Sequence, residues 1–185
     1  MSKKIALIRF SSRNSGNCKA ITEKINDYYQ SEMVLEFTVD AGNIVPCSNC
    51  DYECLTPGKL CPLLTDDQKK IMDSICGADL AYFIVPNYCG YPCANYFAFN
   101  ERSVGYFNGD RELMQKYRSV TKRFIIVSNT EGESFTNAMK QQIIGEPEML
   151  YLKTGKYKKR STAGDIMESD EAQADLRAFL DLHTI

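Results

Sequence analysis

The sequence predicts an α/β protein built on a parallel sheet with helices on both faces, and three observations predict it. Short apolar runs of strand length alternate with stretches of helical period along the chain. The strand runs are continuously apolar, as in sheets buried on both sides. The 185 residues suit one domain with a sizeable core, so the chain reads as a single domain, 1–185.

The elements follow in order. Lys3 to Phe10 is an apolar run closed by Ser-Ser-Arg-Asn-Ser-Gly, a buried first strand and its turn. From Asn17 to Tyr29, Ala20, Ile21 and Ile25 recur at helical spacing. Met33 to Val39 is a second strand, rich in β-branched and aromatic residues. Gly42 to Pro62 holds four cysteines and three of the six prolines with little periodicity, a long irregular loop of the kind that usually has a function. Asp66 to Cys76 is a helix with Ile71, Met72 and Ile75 on one face and Thr65 or Asp66 as cap. Asp79 to Pro86 is the third strand, Tyr91 to Ser103 an aromatic helical stretch, and Val120 to Asn129 the fourth strand. Glu133 to Ile144 is a helix and Met149 to Lys153 a short fifth strand. Ser169 to Leu182 closes the chain as an amphipathic helix. The basic stretch Lys153 to Arg160 reads as a solvated loop.

Composition narrows the function. A net charge of −2 and a pI near 5.5 argue against nucleic-acid binding. No apolar run approaches a membrane span. Arg9 interrupts the N-terminal apolar run, which argues against a secretory signal, so a cytoplasmic location is expected. The eight cysteines are then expected to stay reduced or to ligate something. The one histidine, His183, reads as a solvated tail residue, which leaves little room for Ser-His or Cys-His chemistry.

Ligands of open parallel sheets bind beyond the C-terminal strand ends, where three loops carry useful residues. Ser11-Ser12-Arg13-Asn14-Ser15-Gly16-Asn17-Cys18 runs into a helix; it is either a plain helix cap or an anion site suited to a monophosphate, with Arg13 as a clamp. It has neither the three spaced glycines of a dinucleotide fingerprint nor a P-loop lysine. Pro86-Asn87-Tyr88-Cys89-Gly90-Tyr91-Pro92 is either a turn whose tyrosines cover the core or a surface on which a planar heterocycle stacks. Ser128-Asn129-Thr130-Glu131-Gly132-Glu133 is an ordinary loop or a third side of the same site.

With these motifs in this order, the chain resembles the NAD(P)H-dependent FMN reductase and iron–sulfur flavoprotein group of flavodoxin-like proteins. That group opens with a strand, Ser-Pro-Arg, two variable residues, Gly-Asn and Thr or Ser, matched here by residues 11–18. Its Pro-x-Tyr signature is matched by Pro86-Asn87-Tyr88. Its Pro-Cys-x-x-Cys and Asp-Asp helix start are matched by Pro46-Cys47-Ser48-Asn49-Cys50 and Asp66-Asp67. The resemblance covers roughly the first 135 residues well. It implies a flavodoxin-like three-layer α/β/α sandwich with a five-stranded parallel sheet in the order 2-1-3-4-5, FMN as cofactor, NAD(P)H as co-substrate, and a homodimer with the flavin near its interface. It places Ser11, Arg13, Asn17 and Cys18 around the phosphate. Pro86, Asn87, Tyr88, Cys89 and Gly90 would line the isoalloxazine ring, and Asn129, Thr130, Glu131 and Gly132 would close its other side. Ser12 departs from the usual proline, and Cys18 from the usual hydroxyl residue. A thiol at a helix start is also prone to a lowered pKa.

Cys47, Cys50, Cys54 and Cys61 are spaced C-x2-C-x3-C-x6-C. Four thiolates so close can ligate a [4Fe–4S] cluster or a structural zinc, form a redox disulfide, or pack as reduced small hydrophobes. The last two gaps are each one residue longer than in the iron–sulfur branch. Cys76, Cys89 and Cys93 have no ligand-like spacing, though Cys89 falls near the expected flavin. The expected reaction passes hydride from a reduced nicotinamide to the flavin and electrons on to a quinone, a flavin or another small acceptor. Such a step needs no acid or base side chain, so no catalytic residue is named. The alternative is an FMN electron carrier serving protein partners.

Overall fold

The computed structural model of the protein describes residues 2–48, 50–56, 58–142 and 148–182. Its sheet holds β1 (Lys4–Arg9), β2 (Met33–Thr38), β3 (Leu80–Tyr88), β5 (Thr121–Ser128) and β6 (Glu148–Lys153), with the two-residue β4 (Tyr91–Pro92) attached to β3. The strand order is β2-β1-β3-β5-β6, and all four pairings along it are parallel. With the short β4 set aside, this is the expected order 2-1-3-4-5. Parallel strands need crossovers, which helices supply here.

Side chains alternate between the two faces of each strand, and each face builds its own core. On one face, Ile8, Phe83 and Phe124 pack against Ile71 and Met72 of α2 (Asp67–Cys76). Phe99 of α3 (Ala94–Glu101) and Phe135 of α6 (Glu133–Gln142) complete that layer. On the other face, Leu7, Ile84 and Ile125 meet Ile21 and Ile25 of α1 (Asn17–Tyr28) and Leu176 and Phe179 of α7 (Asp170–Asp181). The central strands are buried on both faces, which explains their unbroken apolar sequence.

The expected aromatic helix over 91–103 is not one element. Tyr91 and Pro92 turn back on β3 as a hairpin, α3 follows, and then come α4 (Ser103–Phe107) and α5 (Arg111–Ser119). Tyr96 and Phe99 go to the core, Phe97 is half-buried and Tyr91 is exposed. The end of the helix expected to reach Ile144, and the tail reading of His183, lie outside the described residues. No helix of the described residues is long and apolar enough to cross a membrane.

Candidate functional site

The loop after β1 is shaped from below by Arg9, a residue only 5 % exposed at the strand end. It donates to the Ser11 carbonyl at 2.9 Å, to the Arg13 carbonyl at 3.0 Å and to Thr38 Oγ1 at 2.7 Å. Those carbonyls are thereby engaged on the protein side. From Ser11 to Asn17, no main-chain N–H donates to an acceptor among the described residues. The run ends in the N-terminus of α1, where Gly16 makes no side-chain cap and the first turn holds no acidic residue. A helix start of this kind has orphan N–H donors and the positive end of the helix dipole. Arg13 stands exposed above it. The cradle therefore fits a phosphate monoester, as the sequence suggests for Ser11 and Arg13. Arg9 was not among the expected site residues; its signal is a charge closing an otherwise apolar strand.

Asn17 serves this loop differently from expectation. Its side-chain amide donates to the carbonyls of Arg160 at 3.1 Å and Ser161 at 3.3 Å, and its oxygen accepts from the Ile166 N–H at 3.1 Å. Arg13 reaches the Thr162 carbonyl at 3.3 Å. Gly164, at φ +79°, packs directly on the Ser15 carbonyl, where no β-carbon fits. The segment 160–166 thus lies against the phosphate cradle, and the preceding basic stretch is anchored too, through Lys156 and Tyr157 to Asp175 of α7. Lys156, Lys158 and Arg160 are nonetheless exposed.

Cys18 is also corrected. Burial pushes its thiol up to about 12, the nearby Cys93 adds to this, and Arg9 only partly opposes it. Desolvation outweighs the helix dipole because the side chain points into the core beneath the loop.

The loop after β3 is a tight hairpin. Cys89 (φ 54°) and Gly90 (φ 88°) form its two-residue corner, and Tyr88 pairs across it with Tyr91. Pro86 and Asn87 are buried, whereas Tyr88 and Cys89 are exposed. The Asn87 amide donates to Ser128 Oγ at 2.9 Å and its oxygen accepts from the Gly90 N–H at 2.9 Å, locking the hairpin to the loop after β5. The Tyr88 phenol is held above its usual range, by burial first and by the neighbouring Cys18 and Cys93 next, while Arg13 opposes them. The hairpin therefore converges on the phosphate cradle. In the third loop Asn129, Thr130 and Glu131 are exposed, and Glu131 pairs with Lys153. Gly132 lies flat under the Tyr151 ring. Exposed polar and aromatic groups thus gather at three strand ends, the edge where open parallel sheets take their ligands.

The cysteine loop is held by α3 and α4. Cys47 N–H donates to Glu101 Oε1 at 2.6 Å. The buried Arg102 guanidinium donates to the carbonyls of Val45 (2.9 Å) and Leu63 (2.5 Å) and pairs with Asp66. A β-carbon on Gly105 would lie 2.8 Å from the Cys61 β-carbon and 3.4 Å from that of Cys54. The Cys47 thiol is raised, by desolvation first and then by Cys50, Glu101, Cys54 and Cys61. All four expected ligands therefore share one neighbourhood. Yet among the described residues no three histidine, cysteine, aspartate or glutamate side chains converge closely enough to hold a metal ion. The expectation of a [4Fe–4S] cluster on Cys47, Cys50, Cys54 and Cys61 finds no support in this arrangement.

This strand order, with its cradle after the first strand, defines the flavodoxin-like class of α/β folds, and solved structures agree. The chain matches the Trp repressor binding protein from Bacillus subtilis at a TM-score of 0.65 and 14% identity, over 98% of this chain and 100% of that one. It matches an azoreductase from Bacillus anthracis at 0.53 and 12%, over 98% and 96%. An NADH:FMN oxidoreductase matches at 0.52 and 12%, over 100% and 92%. At such identities the likeness establishes the fold. No family model matches the chain, and no curated protein matches it by sequence.

Proposed function

We propose that the chain binds FMN at the C-terminal edge of its sheet and acts as an NAD(P)H-dependent oxidoreductase toward a quinone, a flavin or another small acceptor. The observation that carries this reading is the run of unengaged main-chain N–H groups from Ser11 to Asn17, backed by Arg9 and flanked by Arg13. Two structural neighbours named as an azoreductase and an NADH:FMN oxidoreductase support it.

FMN supplies the redox chemistry, two-electron exchange between a reduced nicotinamide and the acceptor. The protein binds and orients. Main-chain donors of residues 11–18 and the Arg13 guanidinium hold the phosphate. The 86–90 hairpin and residues 129–132 bracket the ring, and Asn87 fixes their spacing through Ser128. The exposed Tyr88 and Tyr91 offer flat faces to a stacked nicotinamide or aromatic acceptor. No side chain is required to move a proton in the hydride step. A homodimer that covers the open side of this surface belongs to the same proposal.

Titration of the apo-protein with FMN and with riboflavin, which lacks the phosphate, tests the reading. FMN is expected to bind at least about tenfold more tightly, and the bound flavin to bleach when NADPH or NADH is added without oxygen. Arg13→Gln should weaken FMN and leave riboflavin unchanged. A protein that binds neither flavin overturns the proposal.

A further inference from the structure

A cavity of about 550 Å³ opens between the sheet and α3, α4 and α5. None of residues 11–18, 86–90 or 128–132 lines it. Its floor is Phe83 and Phe124, adjacent on β3 and β5. Its walls include Phe97 of α3, Phe107 of α4 and Tyr117 of α5. The volume is that of a small-molecule site, and the lining is the aromatic kind that takes a flat apolar body.

The charged side chains at its rim are two cations, Lys122 and Arg118, and one carboxylate, Glu101. Glu101 is engaged by the Cys47 N–H. Lys122, at the start of β5, donates to the Tyr117 and Val120 carbonyls and lies 4.2 Å from the centre of the Tyr117 ring. An ammonium has three N–H donors; the third has no acceptor, and no carboxylate pairs with this charge, among the described residues. Arg118 adds a second, exposed cation on the same rim. A half-buried cation without a counter-ion, beside an aromatic-lined cavity, is half of a recognition site for an aromatic anion.

We infer that this cavity is a second small-molecule site, independent of the flavin, for a planar aromatic carboxylate whose ring lies among Phe83, Phe97, Phe107 and Phe124 and whose carboxylate meets Lys122. The state of Lys122 supports this. Burial lowers it to about 8, with only the Cys76 thiol acting the other way. An anion that binds the ammonium is therefore released as pH rises above that value. Cys76 of α2 acts on Lys122 and Tyr117 of α5 lies against it, Glu101 and Arg118 share the cavity lining, and Asp73 and Lys116 act on the same Cys76.

Calorimetric titration of the FMN-saturated full chain with 2-naphthoate, and with neutral 2-naphthylmethanol as its uncharged counterpart, tests the inference. Naphthoate is expected to bind at least about tenfold more tightly than the alcohol. Lys122→Met should remove that preference. Val104→Trp, at an exposed position on the cavity mouth, should block both ligands while leaving FMN binding unchanged. Naphthoate affinity should fall as pH is raised from about 7 to about 10. No heat with naphthoate up to millimolar concentration, a preference that survives Lys122→Met, or displacement of naphthoate by FMN overturns the inference. So does sedimentation showing that Val104→Trp splits a dimer, since a second copy of the chain then fills the cavity. If Lys122→Met fails to fold, the pH series and Val104→Trp still decide.

Discussion

Arg9 closes an apolar strand and, by engaging the carbonyls of Ser11 and Arg13, shapes a cradle that none of its own atoms enters. Arg9→Met keeps the buried stem and removes the donors. Leaving those carbonyls unpartnered costs about 1–3 kcal/mol, so urea unfolding should register the loss, and FMN affinity should drop while riboflavin affinity hardly moves. The loop that carries Ser11 and Arg13 was legible in the sequence because a run of hydroxyls and amides separates an apolar strand from a helical period. Cys18 misled, because helix-start position is visible in a sequence whereas burial under the loop is not. With its thiol pushed up to about 12, Cys18 should resist iodoacetamide at pH 8, while the exposed Cys47 and Cys89 react first. Peptide mass mapping of the alkylated protein checks this order.

Among the elements, the strands were read almost to the residue, since five apolar runs leave little choice of register. The region between β3 and β5 was not. A Cys-Gly corner at positive φ is a rarer hairpin signal than Asn-Gly, so Tyr91 and Pro92 passed for the start of a helix. The boundary between α4 and α5 was nonetheless written in Asn108-Gly109-Asp110. Asn108 and Gly109 adopt positive φ to end one helix, and Asp110 accepts from the Leu113 N–H at 2.9 Å to begin the next. Asp110→Ala should cost about 1 kcal/mol in urea unfolding. Just beyond the end of the same α5, at the start of β5, Lys122 ties stability to pH. Between its folded value of about 8 and its ordinary 10.5, the unfolded chain holds a proton that the folded chain has released. Stability from this group therefore rises with pH across that window. The Tm of the wild type, measured against Lys122→Met, should shift in favour of the wild type from pH 8 to 10.5.

At the scale of the whole molecule, the parallel sheet was legible through the strict alternation of strand and helix, its strand order came through the resemblance, and both point to the edge where such sheets take ligands. The docking of residues 160–166 on the first loop was not, because Asn17 and Ile166 meet across 149 positions of sequence and no local pattern announces such a pairing. Gly164→Ala tests how much the cradle depends on it. Positive φ and the Ser15 carbonyl both oppose the added methyl group, so a loss of about 1–3 kcal/mol and weaker FMN binding are expected together in denaturation and flavin titrations.

The sheet order has one more consequence. Gly58 lies in an open turn with nothing within 4 Å of its would-be β-carbon, and the exposed Lys59 follows it. Trypsin cutting there divides the chain into 1–59, which carries β1 and β2, and 60–185, which carries β3 onward. Yet β1 pairs with β3 across the cut, Asn17 grips residues 160–166 across it, and Arg102 clamps Val45 on one piece to Leu63 on the other. Neither fragment alone has both the loop proposed for the phosphate and the hairpin proposed for the ring, so on that proposal co-expressed halves fused to two interacting proteins should turn yellow with flavin only when those proteins meet, making this chain a two-piece colour reporter.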